Sequence, residues 1–322
     1  MQKERKYKAK KSLGQNFLKS ELALKKIIEA GEIKRGDIIL EIGPGRGALT
    51  EKLLEKVYLA GAGQGLVIAV EKDRELFEFL KTKFKKEIEQ RSLVLVYGDI
   101  LKFDAKKTVL KFFSGPRIPG SLPQPDHSKN SKSSDFKIIA NIPYNITGAI
   151  LKKFLGGLNQ PTDMVLMVQQ EVARRIMARD SKESILSISV KAYGEPKIVM
   201  KVPARYFRPV PKVDSAIIII KNISRKIFSV LPPPPRKSNW APPPYQGGGS
   251  KEVQGKTLNS HEFEEKFWEI VKAGFAHKRK KLSSNLKNLK DGSKASVSSL
   301  GDRRAEDLTL EDWIALCKKC YN

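Results

Sequence analysis

Ile38-Ile39-Leu40-Glu41-Ile42-Gly43-Pro44-Gly45-Arg46-Gly47 is a short apolar run that ends in alternating glycines and passes straight into helical spacing over 48–57. An apolar run of that length, bounded by turn residues, reads as a buried strand. The glycines let the backbone turn back sharply and approach a bound group closely. Strand, glycine loop and helix together make the opening unit of a parallel α/β sheet. The loop is not a Walker A sequence, because no Gly-Lys-Ser/Thr closes it. Its Gly-x-Gly-x-Gly spacing also differs from the dinucleotide Gly-x-Gly-x-x-Gly.

Outward from this unit, apolar runs at 66–70, 93–96, 138–140, 164–168, 198–202 and 216–220 alternate with helical patterns such as 74–88 and 170–178. That alternation predicts a doubly wound α/β domain, a mostly parallel sheet covered by helices, over residues 1–222. Low-complexity sequence at 114–135 is expected to be a surface insertion in this domain. Residues 223–260, which include Pro232 to Pro235 and Gly247 to Gly249, are expected to be a Pro/Gly-rich linker. Neither stretch has the apolar residues to offset the entropy of ordering it. Beyond the linker, Phe263, Phe267, Trp268, Ile270, Val271 and Phe275 form a helical stripe, and 308–317 predicts another helix around Trp313. Residues 261–322 therefore read as a small helical domain.

The chain has 61 basic and 35 acidic residues, a net charge of +26. A surplus that large favours a polyanionic partner. No stretch reaches the ~18 apolar residues of a membrane span, and the basic N-terminus lacks an apolar signal core, so a cytoplasmic protein without membrane association is expected. Cys317 and Cys320 are the only cysteines, which excludes a disulfide framework. Their C-x-x-C spacing has no second pair, and His127, His261 and His277 lie far away in sequence, so no metal is expected. The role of the two cysteines stays open.

Two carboxylates follow consecutive strands. Glu71, in Ala69-Val70-Glu71-Lys72-Asp73, stands where a carboxylate can accept two hydrogen bonds from a ribose diol. Asp99, in Tyr97-Gly98-Asp99, lies on the same sheet edge and suits an adenine amino group. Each could instead be a solvated cap of the next helix. After a fourth run comes Asn141-Ile142-Pro143-Tyr144. The Asn141 amide oxygen and the Ile142 carbonyl, whose residue is restricted by the following proline, can both accept from one amino group, and Tyr144 offers a ring to stack on. These are the parts needed to hold an adenine amino group, a poor nucleophile whose lone pair is delocalised into its ring. The same tetrad also fits an ordinary strand-to-turn exit.

Further motifs extend the pattern. Lys11-Ser12-Leu13-Gly14-Gln15-Asn16-Phe17-Leu18, the glycine loop, Glu71, Gly98-Asp99, Asn141 to Tyr144, Val168-Gln169-Gln170-Glu171-Val172-Ala173 and Phe207-Arg208-Pro209-Val210-Pro211-Lys212-Val213-Asp214-Ser215 occur in the order seen in ribosomal RNA adenine dimethyltransferases. The chain resembles that family over most of 9–221, and again at Phe275-Ala276-His277-Lys278-Arg279-Lys280-Lys281-Leu282. This last segment is more similar to the small-subunit, kasugamycin-resistance branch than to the large-subunit, macrolide-resistance branch.

The resemblance implies a class I, Rossmann-like methyltransferase. Such an enzyme uses S-adenosylmethionine to place two methyl groups on adenine N6 of 16S-type RNA during ribosome biogenesis. Its partner would be the small ribosomal subunit RNA, met by a monomer. The resemblance also implies a cofactor site lined by Asn16, Leu18, Gly43, Gly45, Glu71, Asp99 and Asn141, and a target-base site at Asn141, Ile142, Pro143 and Tyr144. Phe207 would either sandwich the base with Tyr144 or pack in the core beside Pro209 and Pro211. Basic residues at 3–11, at Arg174, Arg175 and Arg179, and at 278–281 are expected to track phosphates. Three rival readings keep the same motifs: a large-subunit RNA enzyme, a DNA adenine methyltransferase, and a non-catalytic assembly factor.

Overall fold

The structure, a computed structural model, describes residues 7–59, 65–114, 135–229, 259–287 and 302–321. Nearly all of the expected insertion at 114–135, most of the expected linker at 223–260, and the basic residues before Tyr7 lie outside the described residues.

The strands are β1 (Phe17–Leu18), β2 (Ile38–Ile42), β3 (Leu66–Glu71), β4 (Leu93–Tyr97), β5 (Lys137–Asn141), β6 (Met164–Gln169), β7 (Glu195–Val202), β8 (Phe207–Arg208) and β9 (Ser215–Lys221). The main sheet has the order β4-β3-β2-β5-β6-β9-β7. The first five of these run parallel, and β9 pairs antiparallel with both β6 and β7. Every residue of β2 and β3 is buried, as expected for strands covered by helices on both faces. The expected α/β sheet is thus present, and its central strands are the apolar runs of the sequence.

From β2 the chain builds outward through β3 to β4, then returns to place β5 on the other side of β2. A switch of direction of this kind opens a crevice at the carboxyl ends of the two central strands, where α/β sheets bind ligands. Here the crevice lies between Gly43, after β2, and Pro143, after β5. A Cβ built on Gly43 would stand 3.8 Å from Pro143 Cδ.

Local departures have packing causes. The helix expected over 74–88 is interrupted at Phe84 (φ −107°, ψ 30°), giving Arg74–Lys83 and Lys85–Glu89. Phe84 is buried with its ring beneath Gly47, where a Cβ would come within 2.6 Å of Cε2. Seating the ring under the loop takes that one residue out of helical conformation. The helix expected to end at Ala178 ends at Met177, and Ala178 adopts a left-handed cap.

The described residues divide into two units, those within Met1–Arg179 and Ser189–Ser224, and those within Asp180–Ile188 and Arg225–Asn322. This differs from the boundary expected at 222. Asp180–Ile188 joins the helical unit because the Glu183 N–H donates to the Glu306 carbonyl (2.7 Å) and Lys182 pairs with the Glu306 carboxylate (2.7 Å). Arg225, expected in the linker, pairs with Glu264 (2.8 Å), and Phe228 in the helix Lys226–Ser229 packs on Phe263 and Phe267. Pairings between residues so far apart in sequence leave no local signature.

Within the helical unit, Ser260–Gly274 opens with a reciprocal capping box between Asn259 and Glu262 and buries Phe263, Phe267, Ile270 and Val271. Trp313, from the helix Leu310–Tyr321, is fully buried against Gly274, where a Cβ would stand 2.3 Å from its Cη2. Only glycine lets the two helices approach this closely. Cys317 and Cys320 are free and buried on the same helix. Burial pushes the Cys317 thiol up to about 12 and raises that of Cys320, so both act as small apolar core groups at neutral pH.

Candidate active site

The crevice is a cavity of about 250 Å³, close to the lower end of the ~300–1,000 Å³ typical of small-molecule sites. Asn16, Leu18, Gly43, Gly45, Glu71, Asp99 and the whole Asn141–Tyr144 tetrad line it, so residues from five separate stretches of sequence meet there. Gly43 and Gly45 have φ of +65° and +60°, conformations that L side chains rarely adopt. A Cβ on Gly45 would also press on the Phe17 ring at 3.0 Å.

Glu71, at the end of β3, is 5 % exposed. One carboxylate oxygen accepts from the Gly45 N–H (3.1 Å) and the other from the Asp73 N–H (2.8 Å). Burial raises its pKa, and these backbone donors partly offset the rise. Asp99 accepts from the Leu101 N–H (2.9 Å) and pairs with Lys72 (2.8 Å); the Lys72 hydrogen bond is the main cause of its lowered pKa. Asp99 does not cap the next helix, Ala105–Ser114, whose Lys107 N–H donates to Asp104, and Glu71 is not the N-cap of the helix Arg74–Lys83. That position belongs to Asp73, whose carboxylate accepts from the N–H groups of Glu75 and Leu76.

Asn141 ends β5. Its Nδ2 donates to the main-chain carbonyl of Asn16 (3.2 Å), and Asn16 in turn donates to Gly14 (3.2 Å). With the amide's donor group engaged by the protein, its oxygen is the group left to accept. Ile142 is 2 % exposed and anchors the tetrad in the core. Tyr144 is half-buried, and its hydroxyl meets the Ser215 Oγ at 2.5 Å, which fixes the ring at the cavity wall. Burial raises the Tyr144 pKa, so the phenol stays neutral.

Phe207 does not belong to this wall. It is 1 % exposed and packs in the core with Leu18, Val202 and Ile217, while β8 pairs it with Leu18. Of the two readings left open for Phe207, the structure shows core packing. The ring is consumed in joining β8 to the core and presents no free face to the cavity.

Sequence reasoning missed other members. Glu41 lines the cavity yet is 1 % exposed. Desolvation pushes its pKa up to about 8, the Thr50 hydroxyl at 2.7 Å lowers it, and Glu71 raises it further. Tyr7, Lys10 and Gln15 converge on Asp73 and tie the N-terminal stretch to the sheet domain. An Asp directly before a helix is a legible cap signal, but nothing in the sequence announces its second set of partners. The basic groups Arg174, Arg175 and Arg179, and likewise 278–281, are exposed.

The antiparallel β9, slotted between β6 and the edge strand β7, separates this sheet from all-parallel dinucleotide binders. With the cleft at the β2/β5 switch point it defines a class I, Rossmann-like methyltransferase. Two solved structures share the fold over nearly the whole chain. One is the 23S rRNA methyltransferase ErmE (TM-score 0.61, 22% identity, 95% of this chain and 99% of that one). The other is a dimethyladenosine transferase from Plasmodium falciparum (TM-score 0.63, 23% identity, 93% and 95%). Ribosomal RNA small subunit methyltransferase A of Dehalococcoides mccartyi is 36% identical over 96% of this chain and 88% of its own length. Its counterpart in Synechococcus elongatus is 35% identical over 96% and 94%. A family model described as ribosomal RNA adenine dimethylase matches residues 6–231. The chain belongs to the ribosomal RNA adenine dimethylase family.

Proposed function

We propose that this protein methylates the N6 amino group of adenine in small-subunit ribosomal RNA, twice per base, using S-adenosylmethionine. The observation that carries this reading is the Asn141 amide. Asn16 engages its donor group, which leaves an acceptor at the mouth of a glycine-lined cleft. The choice of the small subunit is supported by the full-length similarity to small-subunit enzymes of several bacteria and by the Phe275 to Leu282 segment.

The residues present fit the cofactor. Positive-φ glycines let the backbone approach a ligand, Glu71 offers carboxylate acceptors for a ribose diol, and Asp99 offers them for an adenine amino group. When bound, S-adenosylmethionine supplies a methyl group already made electrophilic by its sulfonium. What the chain must add is alignment, since well-oriented reactants gain most of their rate from fixed geometry. The Asn141 oxygen and the Ile142 carbonyl would accept both amino protons of the target base and direct its nitrogen lone pair toward the methyl donor. A stacked base cannot reach this point, so it is extruded at a cost of a few kcal/mol. Stacking on Tyr144, worth ~1–3 kcal/mol, offsets that cost. In the absence of a usable Phe207 face, Tyr144 carries the stacking. The enzyme is read as a cytoplasmic monomer; no helix among the described residues is long and apolar enough to cross a membrane.

The test is labelled methyl transfer onto undermethylated small subunits, with the product nucleosides identified. Dimethyladenosine is expected from the wild type and none from Asn141→Ala, which still binds cofactor measurably. Wild-type turnover by Asn141→Ala would refute the orienting role. Preference for duplex DNA or for large subunits would move the protein to a rival class, and cofactor binding without transfer would make it an assembly factor.

A further inference from the structure

We infer that Asp73 is a positioning residue that latches the N-terminal segment Tyr7–Leu18 across the cofactor cleft, so that cofactor enters and leaves only when this latch opens. The inference rests on the cofactor reading given above.

Asp73 is 2 % exposed and divides its two oxygens between two tasks. Oδ1 caps the helix Arg74–Lys83 through the Glu75 and Leu76 N–H groups (2.9 and 3.2 Å). Oδ2 receives Lys10 Nζ at 2.8 Å and Gln15 Nε2 at 3.3 Å, and it shares the single Tyr7 hydroxyl proton (3.0 Å) with Gln15 Oε1. Burial alone would raise the Asp73 pKa, but Lys10, the Leu76 N–H and Tyr7 together hold it below the ordinary value, so the latch is charged at neutral pH.

The donors are themselves tied together. Gln15 Oε1 accepts from the Tyr7 hydroxyl and from the Lys10 N–H, both at 2.7 Å, and the Tyr7 ring meets Phe17 edge-on at 5.9 Å. Phe17 lies over Gly45, and the segment from Ser12 to Leu18 lines the cleft. Its far end is held by the short β1–β8 pairing. The strap is thus fastened at both ends, and Asp73 is the end built from polar side chains. The same residue's N–H donates to Glu71, so strap closure and the orientation of the cleft carboxylate share one short piece of backbone.

Two methylations of one base need two cofactor molecules, so spent cofactor must be exchanged between them. A latch of charge-assisted hydrogen bonds, stronger than neutral ones but reversible, suits that cycle.

Asp73→Asn separates the two tasks. Asparagine caps a helix as well as aspartate does, so the Arg74–Lys83 cap survives. Its amide nitrogen, however, would face the Lys10, Tyr7 and Gln15 donors. S-adenosylhomocysteine is the probe. Asp73→Asn is expected to raise its dissociation constant roughly tenfold through faster release, as loss of a charge-assisted contact implies. Trypsin should cut faster at Lys8, Lys10 and Lys11, and limiting cofactor should shift product toward monomethyladenosine. The melting temperature should stay within about 2 °C, small on the scale of core damage. Lys10→Met, at a partly exposed lysine, should move every readout in the same direction by less. Unchanged release and unchanged proteolysis in both variants would overturn the latch, as would losses that merely track a fall in melting temperature. Failure of the wild type to bind S-adenosylhomocysteine would instead overturn the cofactor reading.

Discussion

Glu41→Gln should abolish a pH-dependent loss of stability that the wild type carries. Glu41 is wholly buried in β2, accepts one hydrogen bond from Thr50 and faces the Glu71 carboxylate, so ionising it in the folded state is unfavourable. Its pKa is pushed up to about 8 from the ordinary 4.5. A carboxyl whose pKa is raised by folding stabilises the fold fully below the unfolded value, and that stabilisation is lost as pH climbs through the folded value. At ~1.4 kcal/mol per pKa unit, the full loss is roughly 5 kcal/mol, of which about 3 has accrued by pH 7. A glutamine mimics the neutral acid and still accepts from Thr50. Urea denaturation of both proteins from about pH 5 to about pH 9 should give midpoints that nearly coincide at the acid end and separate steadily as pH rises, with the variant the more stable. Parallel curves across that range would show that Glu41 does not hold a proton in the fold, and the reasoning from burial would fail.

Gly47→Ala should cost ~1–3 kcal/mol, because the position has φ +78° and a Cβ would meet the buried Phe84 ring at 2.6 Å; a melting temperature equal to that of the wild type would contradict this. RNA affinity should fall steeply with salt. If Arg174, Arg175, Arg179, Lys278, Arg279 and Lys280 all meet phosphates, the slope of log K against log salt should be about −4, and a flat response would remove them from the interface.

The sheet was legible because its central strands are continuous apolar runs, the pattern that burial on both faces demands, and the strands β2, β4 and β5 are followed within two residues by Gly or Pro. Gly43, Gly98 and Pro143 therefore marked the carboxyl edge in advance, and with it Glu71, Asp99 and Asn141. What the sequence concealed is pairing at a distance. Phe207 carries the same ring whether it stacks on a base or fills a core, and only the β1–β8 pairing decides between the two. Asp73 reads as a helix cap, which it is, while its second oxygen serves residues far upstream. Asp180–Ile188 follows the helix Gln170–Met177 without a break in composition, yet its backbone is claimed by Glu306. Glu41 lies in a run already read as a buried strand, but the Thr50 hydroxyl and Glu71 carboxylate that act on it come from elements the sequence does not place beside it.

The protonation states around the cleft bear on how the proposed reaction proceeds. Glu41 is held neutral by burial, Tyr144 is held neutral by burial and bound to Ser215, and Asp99 is held ionised by Lys72. Asp99 and Tyr144 are held well away from neutral pH in their ionisation, and Glu41, with a pKa pushed up to about 8, is enclosed in β2 at 1 % exposure and tied to Thr50. A general base would need a pKa near the working pH; Asn141, Ile142 and Pro143 carry no titratable group, and the Tyr144 phenol is raised from its ordinary value by burial. An amine attacking a sulfonium methyl does not need one, because its proton becomes acidic only as the new bond forms and can then leave to solvent. Under the proposed function the wall would use an amide oxygen and a carbonyl, whose capacity to accept hydrogen bonds does not depend on pH. On that proposal the groups that hold Asn141 would matter more to the rate than any ionisable group, and the bond from Asn141 Nδ2 to the Asn16 carbonyl would be the one that orients the amide.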